Sequence, residues 1–271
     1  MTDLYAVIGN PVAQTKSPRI HAEFARQLGQ DLRYEAILAP RDGFGAAVAA
    51  FRAAGGRGLN VTVPFKLEAF ALATERTDRA EQAGAVNTLK FDGATVLGDN
   101  TDGAGLVGDV QDRLRYGIRG RRVLVMGAGG AARGVMLPLL KQAPASIVIA
   151  NRTVAKALAL ERQFAPFGKV EGGDYARLAG RKFDLLINAT SASLAGELPP
   201  LPPNVFAPEA LAYDMVYGNE PTRFLAYARD NGAAQVADGL GMLLAQAAES
   251  FLLWRGVRPD TGPVFEMLRS G

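Results

Sequence analysis

Short apolar runs alternate with amphipathic or Ala/Leu-rich stretches along most of the chain, the pattern of strands joined by crossover helices, and it predicts an α/β fold. The first runs cover residues 4–8, 32–38 and 59–63, with helices between them, followed by a close pair at 86–91 and 95–98. Asp92-Gly93 separates that pair. Asp-Gly accommodates the positive φ angles of a two-residue turn, so the pair is expected to form a hairpin. A helical stretch from about Thr101 to Tyr116 leads into a second series at 122–126, 147–150, 183–187 and 211–215, each run preceded by a helix or turn. This series reads as a doubly wound unit. From Gly239 the segment GLGMLLAQAAESFLLW carries apolar residues at 240, 243, 244, 247, 251 and 254, the spacing of one helix face. Periodicity leaves open which part of the chain receives that face. The 271 residues suit two domains, with a boundary near Thr101.

Composition narrows the function classes. With 48% hydrophobic and 21% charged residues the chain can bury a sizeable core without disulfide or metal staples. No apolar run approaches the roughly 18–20 residues of a spanning helix, and MTDLYAVIGN lacks a basic segment followed by an apolar signal core. A soluble, unexported, cytoplasmic protein with no membrane partner is expected. Zero cysteines exclude thiol nucleophiles, Fe–S clusters and thiolate-bound zinc. The single His21 cannot build a multi-histidine metal site, so no metal is expected. His21 itself, in an early helical stretch, is expected to be a partly exposed surface residue. The net charge of +3 does not imply nucleic acid. The densest basic cluster, Arg119, Arg121 and Arg122, lacks interleaved aromatics and reads as a solvated loop before a strand.

VLVMGAGGAARGV, residues 123–135, is a strand entering a glycine loop and then a helix, with Gly127, Gly129 and Ala132 matching G-x-G-x-x-G/A. The first glycine permits the tight turn, the second lets the backbone approach a pyrophosphate, and Ala132 allows close helix packing. Free N–H groups at the helix start then face the phosphate. Gly127, Ala128, Gly129, Gly130 and Ala131 are therefore the expected cradle of a dinucleotide. The end of the next strand reads Asn151-Arg152-Thr153, with no carboxylate to bind a ribose diol or repel a 2′-phosphate. Arg152 supplies a charged fork, Thr153 a hydroxyl and Lys156 a further positive charge, which favours NADP over NAD. The plainer alternative is a solvated Arg and Lys, with Thr153 capping the helix.

Hydride transfer needs a group to handle the accompanying proton. A Tyr-x-x-x-Lys dyad is absent, which leaves lysine and carboxylate. GLNVTVPFK, residues 58–66, ends an apolar strand and delivers Lys66 at a strand-to-helix turn, while GDNTDGAG, residues 98–105, carries Asp102 at the domain boundary. Taken singly, Lys66 reads as an exposed lysine and Asp102 as a helix N-cap.

Read in order, GNPVAQTKSP, NVTVPFK, GAVNTL, GDNTDG, GAGGAARG, NRT, INATS, YDMVY and DGLGMLLAQAA resemble shikimate dehydrogenases over almost the whole chain, about residues 5–259. The resemblance implies NADPH-dependent, reversible reduction of 3-dehydroshikimate to shikimate, on the route to chorismate and the aromatic amino acids. It implies an N-terminal α/β substrate-binding domain, 1–101 with 239–271, to which the C-terminal helices return, and a Rossmann-type NADP-binding domain, 102–238. Around the substrate it places Thr15, Ser17, Asn60, Thr62, Asn87, Tyr217 and Gln246, with Lys66 and Asp102 as the catalytic pair meeting across the cleft. On the cofactor side it adds Thr190, Met215 and Gly239. A neighbouring carboxylate favours charged lysine and desolvation opposes it, so the sequence does not decide which member holds the proton.

One position departs from the family's usual Ser-x-Ser, where this chain has Thr15-Lys16-Ser17. Thr15 keeps the hydroxyl, but its methyl narrows the end that would hold the substrate carboxylate. A broader quinate/shikimate dehydrogenase is therefore an alternative, as is a noncatalytic NADP-binding regulatory protein, against which intact Lys66 and Asp102 argue. Oligomeric state, a homodimer included, is left open.

Overall fold

The computed structural model describes residues 2–190 and 192–270; Ser191, the last residue of the INATS motif, lies outside them. The chain forms two compact units, Met1–Gly105 with Leu244–Gly271, and Leu106–Leu243. Both crossings fall a few residues after the expected positions, inside helices, so Asp102 lies in the same unit as Lys66.

The first unit is built on β1 (Asp3–Gly9), β2 (Leu32–Leu38), β3 (Gly56–Val61), β4 (Glu75–Arg76), β5 (Thr88–Asp92) and β6 (Thr95–Asp99). They form one mixed sheet in the order β2-β1-β3-β5-β6-β4. The β2-β1-β3 part is parallel, while β5 runs antiparallel to both β3 and β6. The Asp92-Gly93 turn joins β5 to β6 as expected, with Asp92 opposite Thr95. Between strands run α1 (Ser17–Leu28), α2 (Phe44–Ala53), α3 (Lys66–Leu72) and α4 (Asp78–Ala83). The last two are 7 and 6 residues long, too short for a helical period to show in the sequence.

Ile8, Leu59, Phe65, Val86 and Leu89 are fully buried in this unit's main core, where each large side chain contributes about 1.5–3 kcal/mol. The C-terminal helices α9 (Leu240–Arg255) and α10 (Gly262–Arg269) bring residues 244–271 into the unit. Trp254 on α9 donates its indole N–H to the Leu89 carbonyl at 2.9 Å. Gly58 makes room for it, since a Cβ there would lie 2.4 Å from Trp254 Nε1. His21 is a correction to the sequence reading. It is 1% exposed rather than a surface residue, and its ring stacks on Tyr34 at 4.2 Å. On α1 it shares the buried stripe of Ser17, Ile20, Phe24 and Ala25, which is why solvent does not reach it.

The second unit carries β7 (Arg122–Met126), β8 (Ser146–Ala150), β9 (Val170–Gly173), β10 (Phe183–Asn188), β11 (Phe206–Asp214) and β12 (Gln235–Asp238). All pair in parallel, in the order β12-β11-β10-β7-β8-β9. The order reverses direction from β7, and ligands of such sheets bind at the carboxyl ends of the strands flanking that switch. The crossover helices are α6 (Gly130–Leu140), α7 (Val154–Phe164) and α8 (Arg223–Asp230). The expected helix to Tyr116 is shorter. Its regular part, α5 (Asp102–Gly108), passes into a π-helical turn at Asp109–Arg113. That turn carries Asp109, whose buried carboxylate takes hydrogen bonds from Arg113 at 2.5 Å and from the Tyr213 hydroxyl at 2.7 Å. Arg122, expected in a solvated loop, opens β7 instead and pairs with Asp184 at 2.8 Å.

Candidate active site

In the first unit, β3 ends at Val61 and the chain turns through Thr62–Phe65, with Phe65 N donating to Thr62 O at 3.0 Å, before α3 begins at Lys66. The turn thus sets Lys66 on the first residue of a helix. Its Nζ donates to Asp102 Oδ2 at 2.6 Å. Asp102 opens α5, and its other carboxylate oxygen accepts from Asn87 Nδ2 at 2.8 Å. Its carboxylate therefore reaches across to lysine and amide, beyond an N-cap role. The lysine side chain is 35% exposed and the aspartate 14%, so the pair is reachable by a small molecule yet largely shielded.

Asp102 is held from behind. Its N–H donates to Asn100 Oδ1 at 3.2 Å, Asn100 donates to the Ala85 carbonyl, and the Asn100 N–H donates to Asp99 Oδ1 at 2.8 Å. Asp99 is buried against Arg79. Burial pushes the Asp99 carboxyl up, but the Arg79 guanidinium, the Thr77 hydroxyl and the Asn100 N–H outweigh it and hold it below its ordinary value.

Of the residues expected around the substrate, Thr15, Ser17, Asn60, Thr62, Asn87 and Gln246 all lie in this same unit. Thr15 Oγ1 and Ser17 Oγ are 3.1 Å apart, which makes a paired hydroxyl edge at the start of α1. Asn60 and Asn87 are buried. Tyr34 donates its hydroxyl to Asn60 Oδ1 at 2.7 Å. Burial pushes that hydroxyl well above its usual range, with Ser17 a smaller opposing influence, so Tyr34 stays a donor. Tyr217 follows β11 in the second unit, where burial and then the charge of Asp238 raise its hydroxyl above its ordinary value.

The dinucleotide loop lies between β7 and α6. Gly127 has φ +105°, a conformation open to glycine, and a Cβ there would press on Ala189 O at 3.0 Å. At Gly129 and Gly130 a Cβ would meet nothing within 4 Å. That space lies over the loop, as close approach of a pyrophosphate requires. A pocket of about 240 Å³ is lined by Gly127, Gly129, Asn151, Arg152, Tyr175 and Thr190 among others. Thr153 precedes α7 without capping it through its side chain, and Asn151 Nδ2 instead donates to the Thr153 carbonyl at 2.9 Å. Arg152, Thr153 and Lys156 are exposed. Thr190 is held by Asn188, which accepts from its hydroxyl at 2.7 Å. Gly239 N donates to Val216 O, next to Met215, at 3.3 Å. A cradle open to phosphates, beside a strand end that carries Arg152 and no carboxylate, fits a dinucleotide with a 2′-phosphate.

Sequence reasoning missed Tyr175, which follows β9 and faces Arg152 in charge; burial, with Arg152 opposing, pushes its hydroxyl up to about 12. The Val-Glu-Gly-Gly of β9 carries too little apolar signal to announce a strand. It also missed Tyr34, Thr88, Thr101 and Ser250, although Thr88 sits inside GAVNTL, Thr101 inside GDNTDG and Ser250 on the C-terminal helix segment.

Fold and chemistry together are those of a pyridine-nucleotide dehydrogenase built from two α/β units. Family models match in sequence order: shikimate dehydrogenase substrate binding domain over residues 7–89, shikimate/quinate 5-dehydrogenase over 110–195, and the shikimate 5′-dehydrogenase C-terminal domain over 239–264. The chain belongs to the shikimate dehydrogenase family. It is 65% identical to a shikimate dehydrogenase (NADP(+)) of Nitrosospira multiformis, across 100% of this chain and 98% of that one. Among solved structures it is similar to an Ael1 enzyme from Pseudomonas putida, with TM-score 0.94, 49% identity and 98% of both chains covered. It is also similar to a shikimate 5-dehydrogenase from Thermus thermophilus in complex with NADP(H) and shikimate, with TM-score 0.88, 33% identity and 99% of both chains covered. Among the described residues no helix is long and apolar enough to cross a membrane, and no cluster of potential metal ligands occurs.

Proposed function

We propose that this chain reduces 3-dehydroshikimate to shikimate with NADPH, reversibly, and that Lys66 and Asp102 are its catalytic residues. The observation that carries the reading is the Lys66–Asp102 contact at 2.6 Å, with Asn87 on the same carboxylate. NADPH, when bound, supplies hydride to the carbonyl carbon. Lys66 gives a proton from Nζ to the carbonyl oxygen as negative charge builds there, and its partly exposed side chain allows a proton to be regained from water. Asp102 fixes the ammonium in place and accepts a hydrogen bond from the adjacent ring hydroxyl. Thr15 and Ser17 hold the substrate carboxylate through their hydroxyls, and Asn60, Thr62, Asn87, Tyr217 and Gln246 bind the ring hydroxyls. Gly127–Ala131, Thr190, Met215 and Gly239 bind the pyrophosphate and nicotinamide halves of the cofactor, while Asn151, Arg152, Thr153 and Lys156 read its 2′-phosphate.

The test is a spectrophotometric panel pairing shikimate or quinate with NADP or NAD. Fastest turnover with shikimate and NADP is expected. Turnover in none of the four combinations would leave a binding protein as the better reading, and quinate turnover matching that of shikimate would mean that the Thr15 methyl does not restrict the carboxylate end.

A further inference from the structure

Behind the reactive pair, buried hydroxyls on elements far apart in sequence touch both substrate-facing asparagines. Thr88 and Ser250 are 0% exposed. Their Oγ atoms are 2.8 Å apart, linking β5 to α9 across 162 residues. Asn60 Nδ2 lies 2.9 Å from Ser250 Oγ and 3.2 Å from Thr88 Oγ1. Each hydroxyl has a single hydrogen to give, so the donors can be assigned by elimination.

Asn87 is the starting point, because its orientation is imposed from outside. Its Oδ1 accepts from the backbone N–H of Thr101 at 2.9 Å, and its Nδ2 donates to the Asp102 carboxylate at 2.8 Å. Turning it over would set donor against donor and acceptor against acceptor. Thr88 therefore gives its hydrogen to Asn87 Oδ1, 2.9 Å away. Thr88 then has nothing left for Ser250, so Ser250 gives its hydrogen to Thr88 Oγ1, its shortest contact; the Gln246 carbonyl is farther, at 3.1 Å. Both hydroxyl oxygens now face Asn60 as acceptors. Only the NH2 side of the Asn60 amide can meet them, and its carbonyl oxygen is left to Tyr34.

We infer that Thr88 and Ser250 are positioning residues that transmit the orientation of Asn87 to Asn60, so that the Asn60 NH2 is turned inward onto the two hydroxyls and its carbonyl oxygen is the fixed acceptor left to Tyr34 and the substrate. The inference rests on the proposed function for its kinetic meaning. Donors run one way, from Tyr34 through Asn60, Ser250, Thr88 and Asn87 to Asp102, and aligned hydrogen bonds of this kind polarise one another.

The test compares Thr88→Val, which keeps the shape and loses the hydroxyl, with Thr88→Ser, which keeps the hydroxyl, and adds Ser250→Ala. We expect kcat/KM for shikimate to fall at least about tenfold in Thr88→Val and Ser250→Ala, with NADP affinity unchanged and Thr88→Ser close to the parent. Parent-like kinetics in both hydroxyl-deleted variants, or equal losses in Thr88→Val and Thr88→Ser, would overturn the inference while leaving the function standing. If Thr88→Val does not fold, Ser250→Ala against the parent carries the decision. If the parent turns over no shikimate, the functional reading fails separately. The side-chain amide resonances of Asn60, assigned through Asn60→Asp, then decide: a shift in Ser250→Ala supports the coupling and unchanged resonances overturn it.

Discussion

Lys66 is where the residue scale meets chemistry. Lys66→Met keeps a flexible stem and removes the proton donor, so kcat at saturating shikimate and NADP should fall by about 10² to 10⁴. Independently measured binding of NADP, whose cradle lies in the other unit, should survive; near-normal turnover would remove Lys66 from the mechanism. Arg152→Asp replaces attraction by repulsion at the proposed 2′-phosphate site, and loss of the charged hydrogen bonds alone is worth about 1.5–3 kcal/mol. KM for NADP should rise at least about tenfold relative to that for NAD. An unchanged preference between the two cofactors would reject Arg152 as the reader. Individual polar side chains are legible only where they stand in a recurring motif. Thr88 lies one residue beyond Asn87 in GAVNTL, yet nothing local distinguishes it from an ordinary strand threonine. Ser250 sits on a helix face otherwise lined by Ala247 and Phe251, and its partner is 190 residues away. Such pairings exist only in three dimensions.

Among the elements, the glycine loop separates binding from stability. Gly129 has φ −88° and open space where a Cβ would lie, so Gly129→Ala should leave the melting temperature within about 2 °C of the parent. NADP should nevertheless bind at least about tenfold more weakly, because the methyl occupies the ground over which a pyrophosphate must approach. Retention of full affinity would show that the phosphates do not rest on this loop. Element prediction follows signal length. Strands of five or more residues with continuous apolar character, such as β7, β8 and β10, are readable, and so is the hairpin, through its turn chemistry. β4 has two residues, and β9 and β12 four each. α3 and α4 span at most two turns, too short to show the full i, i+3, i+4, i+7 pattern of an amphipathic helix. These are ordered by the neighbours they pair with.

At the scale of the whole molecule, His21 sets a limit on acid stability. Burial pushes its ring down from 6.5 to about 3, the Asn60 side chain offsetting a small part, and neither ring nitrogen has a hydrogen-bond partner among the described residues. An unfolded chain takes up a proton below about 6.5 that the folded chain refuses until about 3. Stability is therefore complete above pH 6.5 and drains away as the pH falls towards 3, by up to about 5 kcal/mol at about 1.4 kcal/mol per unit. Urea midpoints between pH 7 and 5 should fall in the parent and stay nearly level in His21→Phe; parallel profiles would exclude the histidine. Its burial is readable from its place on the α1 stripe once periodicity is weighed above charge. The division of the chain into units is less accessible, since the crossings fall within α5 and α9 and no linker composition marks them. That division has a consequence during synthesis. Because the first unit needs residues 244–271 as well as 1–105, a ribosome finishes every residue of the second unit before the first can close. The nascent N-terminal segment must wait, with the backs of β3 and β5 uncovered where Trp254 will later dock, while some 140 residues emerge and fold ahead of it. The interval between those two events is when the chain is most open to chaperones and to mispairing.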